Sequence, residues 1–172
     1  SIMNIQARKS ESEEVKQAFR ENIARVQSIA SINEILTAND EGPAPLMPFL
    51  EKLKNQFLLL YGAEYPIDLK LSGDDLTVSQ DQATDVALVV NAYKHAFKGR
   101  ENGEIRVILK NGERYASVTV QDNGTGTEEI RNEGNFGMML VQMTVKDKLK
   151  GKVYVESGEN GTSVTFDFLI DK

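Results

Sequence analysis

The 172-residue chain has no cysteine and one histidine, His95. Disulfides and thiolate metal sites are therefore excluded. Zinc, which takes several nitrogen or sulfur ligands, finds too few here. No Gly-x-x-x-x-Gly-Lys-Ser/Thr run occurs, so no P-loop is available to hold a phosphate. Basic excess is missing too. The formal net charge is −6, whereas a general nucleic-acid binder carries a basic footprint, so no nucleic acid is expected as a partner. No apolar run approaches the length of a membrane span, and no signal peptide is visible; this segment is expected to make no membrane contact. Repeats and low-complexity stretches are absent. The length allows one domain of ordinary size plus an appendage.

Apolar residues recur mostly in steps of three and four from Val15 through Phe19, Ile23, Val26, Ile29 or Ala30, Ile32 and Ile35. This narrow stripe predicts a long helix, suited to a helical hairpin or to pairing across a dimer. The pattern is already under way in Ser1–Gln6, so the sequence is expected to start inside a longer helical region. Turn formers from Thr37 to Pro45 end it, and the domain boundary is placed there: 1–42 as a helical segment, 43–172 as the main domain. A second helix carries Leu46, Leu50, Leu53, Phe57 and Leu60 on one face. Ile67–Leu71 alternates as a strand, with Leu76–Val78 as its expected short partner across Gly73-Asp74-Asp75. Ala83–Phe97 reads as a third helix. Glu104–Lys110 and Arg114–Gln121 read as strands joined at Asn111-Gly112, a strong hairpin signal. A fourth helix is expected to turn Phe136, Leu140 and Met143 the same way. Lys152–Glu156 and Thr162–Ile170 close the chain as a hairpin. These elements predict an α/β two-layer sandwich, a mixed and largely antiparallel sheet against helices, with the long N-terminal helix appended.

The most informative stretch is Asp122-Asn123-Gly124-Thr125-Gly126, directly after the alternating strand. The strand delivers one carboxylate into a turn that two glycines keep free of side chains. Such a carboxylate accepts a hydrogen bond from an exocyclic amine, and the glycines let a flat ring lie against the backbone. A second pair, Gly134 and Gly137, opens an apolar helical pattern, and bare amides at a helix N-terminus cradle phosphate. Taken alone, Asp122-Asn123-Gly124 is also simply a good turn. Asp74-Asp75 and Asp40-Glu41 read as solvated turns rather than cation sites.

Asn91-Ala92-Tyr93-Lys94-His95-Ala96-Phe97 on a helix, then Asp122–Gly126, Gly134-Asn135-Phe136-Gly137 and Gly161-Thr162 follow in order. This set resembles the ATP-binding domain of sensor histidine kinases, in its HWE-like branch. That domain belongs to the superfamily shared with gyrase, a heat-shock chaperone and mismatch-repair ATPases. Met3–Arg8 and Arg25–Leu36 resemble parts of the family's dimerisation hairpin. The resemblance implies a Bergerat-type ATPase fold and ATP with Mg²⁺ as ligands. It makes Asp122 the reader of the adenine amine, with Gly124 and Gly126 shaping the base pocket and Thr162 close by. Asn91 faces the phosphates and Mg²⁺, and Lys94 and His95 contact phosphate oxygens. Gly134, Phe136 and Gly137 form the hinge of a lid. A response regulator, a homodimer through the N-terminal helix and a cytoplasmic location are implied as well.

Two departures from the family pattern stand out. The acceptor histidine lies upstream of the stretch matched by Met3–Arg8 and is not in this sequence. The family's helix carries Asn and Glu where Val86 and Ala87 stand here; either these were substituted, or a helical turn was lost before Asn91. The expected function is the ATP-binding catalytic fragment of a two-component histidine kinase, which donates the γ-phosphate to a histidine outside this chain. The alternatives are a non-catalytic nucleotide-binding or dimerising scaffold, and a serine/threonine kinase of the anti-sigma type on the same fold.

Overall fold

The computed structural model describes residues 42–61, 67–95, 103–124 and 136–170, with residue 30 alone before them; of residues 56, 57, 59–61, 67, 91–95, 136, 137 and 140 it describes the backbone only. The expected N-terminal helix and the loop 127–133 lie outside these residues. In chain order the elements are β1 (Ala44–Pro45), α1 (Leu46–Tyr61), β2 (Ile67–Gly73), β3 (Thr77–Val78), α2 (Gln80–His95), β4 (Gly103–Asn111), β5 (Tyr115–Asp122), α3 (Phe136–Met143), a π-helical turn (Thr144–Lys148), β6 (Val153–Gly158) and β7 (Gly161–Leu169).

Five strands form one mixed sheet in the order β2-β4-β5-β7-β6. β2 and β4 run parallel, and every other neighbouring pair is antiparallel. The period-two alternation of β5 and β7 turns Val118, Val120, Val164, Phe166 and Phe168 to one face, where they are fully buried. The helices supply the opposing layer. On α1, Leu46, Phe49, Leu50 and Leu53 are buried. On α2, Ala83, Val86, Ala87 and Val90 recur at helical spacing and are likewise buried, so this helix lies in the same core. This is the expected two-layer α/β sandwich.

Side chains set the helix ends. The Ser79 hydroxyl accepts from the Gln82 backbone N–H at 3.2 Å while the Gln82 side-chain oxygen accepts from the Ser79 N–H at 3.3 Å. This reciprocal capping box fixes the start of α2. Gln82 also donates through Nε2 to the Leu169 carbonyl at 2.7 Å, tying the first turn of α2 to the end of β7. Lys148 Nζ bonds Asp85 Oδ1 at 3.1 Å, joining the π-helical turn to α2.

One expectation needs correction. Leu76–Val78 does not pair with β2. β3 pairs antiparallel with β1, Ala44 opposite Val78 and Pro45 opposite Thr77, and the Leu46 N–H donates to the Leu76 carbonyl at 2.8 Å. The reason lies at Gly73, where φ is +119° and an added Cβ would fall 2.0 Å from the Leu109 carbonyl oxygen. There the chain crosses onto β4: the Asp74 N–H donates to the Leu109 carbonyl at 3.0 Å, and Asp74 Oδ2 accepts from the Asn111 N–H at 2.9 Å. It cannot fold back on β2. On α3, Met138 and Val141 are buried, as is Val145 just beyond it, while Met143 is 54% exposed; the side chains of Phe136 and Leu140, expected to turn the same way as Met143, lie outside the described residues. With Val141 turned to the core, residue 143 lies about 200° further round the helix.

Candidate nucleotide site

The alternation of β5 ends on its buried side, so Asp122 reaches the helix-facing side of the sheet at the last position of the strand and is only 6% exposed. Its carboxylate is held from two directions. Oδ1 accepts from the Gly124 N–H at 2.7 Å, closing a turn over Asn123. Oδ2 accepts from the Thr162 N–H at 3.1 Å, from the neighbouring strand β7. A carboxylate offers about four acceptor positions, so these two bonds alone do not exhaust it.

Glycine makes the close approach possible. Gly161 has φ +118°, and a Cβ there would fall 2.1 Å from the Asp122 carbonyl oxygen and 3.1 Å from the Gly124 nitrogen. A larger residue would push the β6–β7 turn off the Asp122 turn. Thr162 follows, buried, with its Oγ1 3.1 Å from Ser157 Oγ. On the other side, Asn123 Oδ1 accepts from the Glu104 N–H at 2.9 Å and its own N–H donates to the Glu104 carbonyl at 3.3 Å. Sequence reasoning passed over Asn123, Ser157 and the packing role of Gly161. Only Gly161 carries a readable signal, as a glycine beside a residue already singled out.

The helix side is placed by backbone alone. Asn91, Lys94 and His95 lie on the last turns of α2, at helical spacings of three and four. The preceding Val86 and Ala87 are fully buried, and Val90 is buried as well. α2 packs on α3, which begins at Phe136 and Gly137. Gly126 and Gly134 lie outside the described residues. The structure therefore brings Asp122, Gly124 and Thr162 together directly. It places Asn91, Lys94, His95, Phe136 and Gly137 by their helices.

Among the described residues no group of three His, Cys, Asp or Glu side chains is arranged to hold a metal. A cavity of about 230 Å³ near the start of α1, lined by Pro43, Pro45, Pro48, Phe49, Lys52 and Gln80 among others, contains none of the candidate residues.

Residues 86–172, just over half of the chain, match the family described as histidine kinase-, DNA gyrase B- and HSP90-like ATPases. Residues 1–61 match a second family, described as histidine kinase. The sensor histidine kinase PdtaS of Mycobacterium tuberculosis is 24% identical over 174 residues, covering 95% of this chain and 35% of that protein. The chain thus spans about a third of the length of the curated relative it matches. The histidine kinase domain of the blue-light activated kinase EL346 of Erythrobacter litoralis superposes with a TM-score of 0.71 at 21% identity, covering 96% of this chain and 92% of that one. Histidine kinase ThkA, solved in complex with the response regulator protein TrrA, aligns with a TM-score of 0.58 at 21% identity, over 99% of this chain and 55% of that one.

Proposed function

The chain belongs to the histidine kinase-, DNA gyrase B- and HSP90-like ATPases, and we propose that it is the ATP-binding catalytic part of a two-component sensor histidine kinase. The observation that carries this reading is the Asp122 carboxylate, buried and oriented by the N–H groups of Gly124 and Thr162. A fixed acceptor beside a side-chain-free turn suits the amine and flat ring of adenine. In this reading Asp122 accepts from the adenine amine, Gly124 and Gly126 floor the base pocket, and Thr162 borders it. Asn91, Lys94 and His95 meet the phosphates from α2, where charge and positioning are what the protein contributes to phosphoryl transfer. Gly134, Phe136 and Gly137 hinge a lid over them.

Mg²⁺ prefers oxygen ligands and keeps several waters. With no acidic cluster among the described residues, it would be held by phosphate oxygens, water and the Asn91 amide. The acceptor is a histidine on a dimerisation helix outside this sequence, and a response regulator takes the phosphoryl group onward, the kind of partner with which ThkA was solved. Residues 1–42 would form the partial dimerisation segment of a cytoplasmic homodimer. Residues 43–172 would form the catalytic domain, a boundary supported by the burial of α1 in the same core as the sheet.

One observation favours a second reading, a non-catalytic nucleotide-binding scaffold: Val86 and Ala87 are apolar and fully buried where the related kinases carry polar groups. Mixing the chain with a fragment bearing the acceptor histidine and γ-labelled ATP separates the readings. Acid-labile, alkali-stable label marks phosphohistidine and supports the kinase. Acid-stable label marks phosphoserine and replaces it with a serine kinase. No label, with ATP still bound, leaves the scaffold.

A further inference from the structure

β6 ends the sheet, and among the described residues only β7 pairs with it. Its register with β7 is unbroken from Val153 opposite Phe166 to Gly158 opposite Gly161, so no bulge twists this edge away. The strand also has no proline and no internal lysine, the usual defences of an exposed edge.

The free backbone groups can be assigned. The Asp167 N–H donates to the Lys152 carbonyl at 3.0 Å, one step beyond the Val153–Phe166 pair. Bonded and non-bonded pairs alternate along an antiparallel ladder. Lys152, Tyr154 and Glu156 therefore turn their backbone groups toward β7, and Val153 and Val155 turn theirs outward. On the outer face of the sheet, the Tyr154 side chain is 53% exposed, and Lys152 and Glu156 are exposed beside it.

We propose that this edge pairs with the β6 edge of a second copy of the chain, antiparallel, about a twofold axis at Tyr154. In that register Val153 of each copy faces Val155 of the other, and both pairs are of the hydrogen-bonded kind, using the outward groups. The same register sets Lys152 of each copy opposite Glu156 of the other, on the solvent face, so the charges are self-complementary. Moving the axis to residue 155 sets Tyr154 against Glu156 and loses both charge pairs. Opposite charges facing across strands stabilise a pairing, and a side-chain pattern of this kind selects register. The edge contact is smaller than the roughly 1,000 Å² of a stable interface, so it holds two copies only weakly unless another contact brings them together.

The chain has no cysteine, so one introduced thiol reports this contact cleanly. Facing α-carbons at a non-bonded position lie about 4.5 Å apart, within reach of a disulfide. In the full chain under mild oxidation, Tyr154→Cys is expected to form a covalent dimer at least about tenfold faster than Glu156→Cys or Tyr115→Cys, because pairing raises the local thiol concentration. The controls share any other contact between copies but place the thiol off the axis or on another strand. Adding Val155→Pro, a change tolerated on an edge, removes an outward N–H and should bring the rate down to that of the controls. Lys152→Glu should slow it, and Glu156→Lys added to that change should restore it. Equal rates for the three cysteine variants would overturn the proposal. So would a Tyr154→Cys rate untouched by both the proline and the charge reversal.

Discussion

Asp122 is gripped by backbone N–H groups from two strands' ends, whereas the stretch of α2 before Asn91 is filled by Val86, Ala87 and Val90, all buried in the core. The base end of the proposed site is thus one carboxylate oriented by the main chain of the sheet. The phosphate end hangs on a few side chains at the end of a helix whose preceding turns serve packing. An orientation set by backbone donors tolerates drift in the side chains of the donor residues, because such donors belong to every residue type but proline. A site built from side chains does not. In the proposed reading nucleotide recognition and phosphoryl transfer are therefore separable, and the first is the better equipped.

The strongest test of that contrast is Ala87→Glu. Residue 87 is fully buried, and an unpaired carboxylate there costs several kcal/mol. At about 2–4 °C per kcal/mol for a domain of this size, melting should fall by roughly 10 °C. A variant that melts like the parent and binds Mg-ATP more tightly would put residue 87 on the nucleotide and erase the contrast. Next in size is Asp122→Asn. Its amide must set an NH₂ group against either the Gly124 or the Thr162 N–H, so the change reaches the fold as well as the ligand. Loss of a charged hydrogen bond of about 1.5–3 kcal/mol predicts ADP affinity lower by roughly ten- to a hundredfold. Calorimetric titration showing unchanged affinity would remove Asp122 from the site.

A smaller effect is expected from the metal. With the helix end short of oxygen ligands, ATP and ADP should bind alike, and Mg²⁺ should strengthen ATP binding by less than about threefold, under about 0.7 kcal/mol. A large enhancement would reveal a metal site that the proposed reading lacks. Least of all is the expected effect of Glu104→Gln, on the outer face of the sheet. A hydrogen bond from Lys70, and then one from Arg106, hold the Glu104 carboxyl below its ordinary range. Glu104, and then Asp68, raise the Lys70 ammonium above its own. The glutamate contribution is complete above about pH 4.3 and fades as pH falls through the lowered value; the lysine contribution is complete below about pH 10.4 and fades as pH rises through the raised one. Glu104→Gln should lower stability by a small constant amount between those limits, and the difference from the parent should shrink towards both extremes, leaving the variant's curve flatter there. Steep parental limbs retained in the variant would assign them to other groups.

The parts of the fold legible in the sequence were those whose signal is local. Asn111-Gly112 and the alternation around it announced β4 and β5, and the strand patterns of Lys152–Glu156 and Thr162–Ile170 announced the second hairpin. The parallel pairing of β2 with β4 was not legible, because it joins strands separated by a whole helix and rests on a left-handed glycine, Gly73, packed on Leu109. β1 was missed for another reason. Two residues, one of them proline, carry no periodicity, and they become a strand only because β3 lies beside them. At the site, Asp122, Gly124 and Thr162 were legible as residue types in order. Their arrangement depends on Gly161 passing over the Asp122 turn and on Asn123 bridging to Glu104, contacts between segments that no local pattern encodes. The apolar run before Asn91 reads, in the structure, as the core face of α2.

Asp122 ends the hairpin β4–β5, and Thr162 is the second residue of β7, in the hairpin β6–β7, 40 residues further on. Among the described strands the two hairpins pair where β5 meets β7, Gln121 opposite Ser163 at the edge of the site. Each hairpin closes over a short loop, while this seam must draw together distant segments at a larger loss of chain entropy. Asp122 acquires its Thr162 partner only when the seam closes. A ligand resting on that carboxylate accordingly recognises chains in which both hairpins have already joined. Its grip is absent from any earlier stage of folding, so nucleotide should slow the unfolding of this protein while leaving its folding rate nearly unchanged.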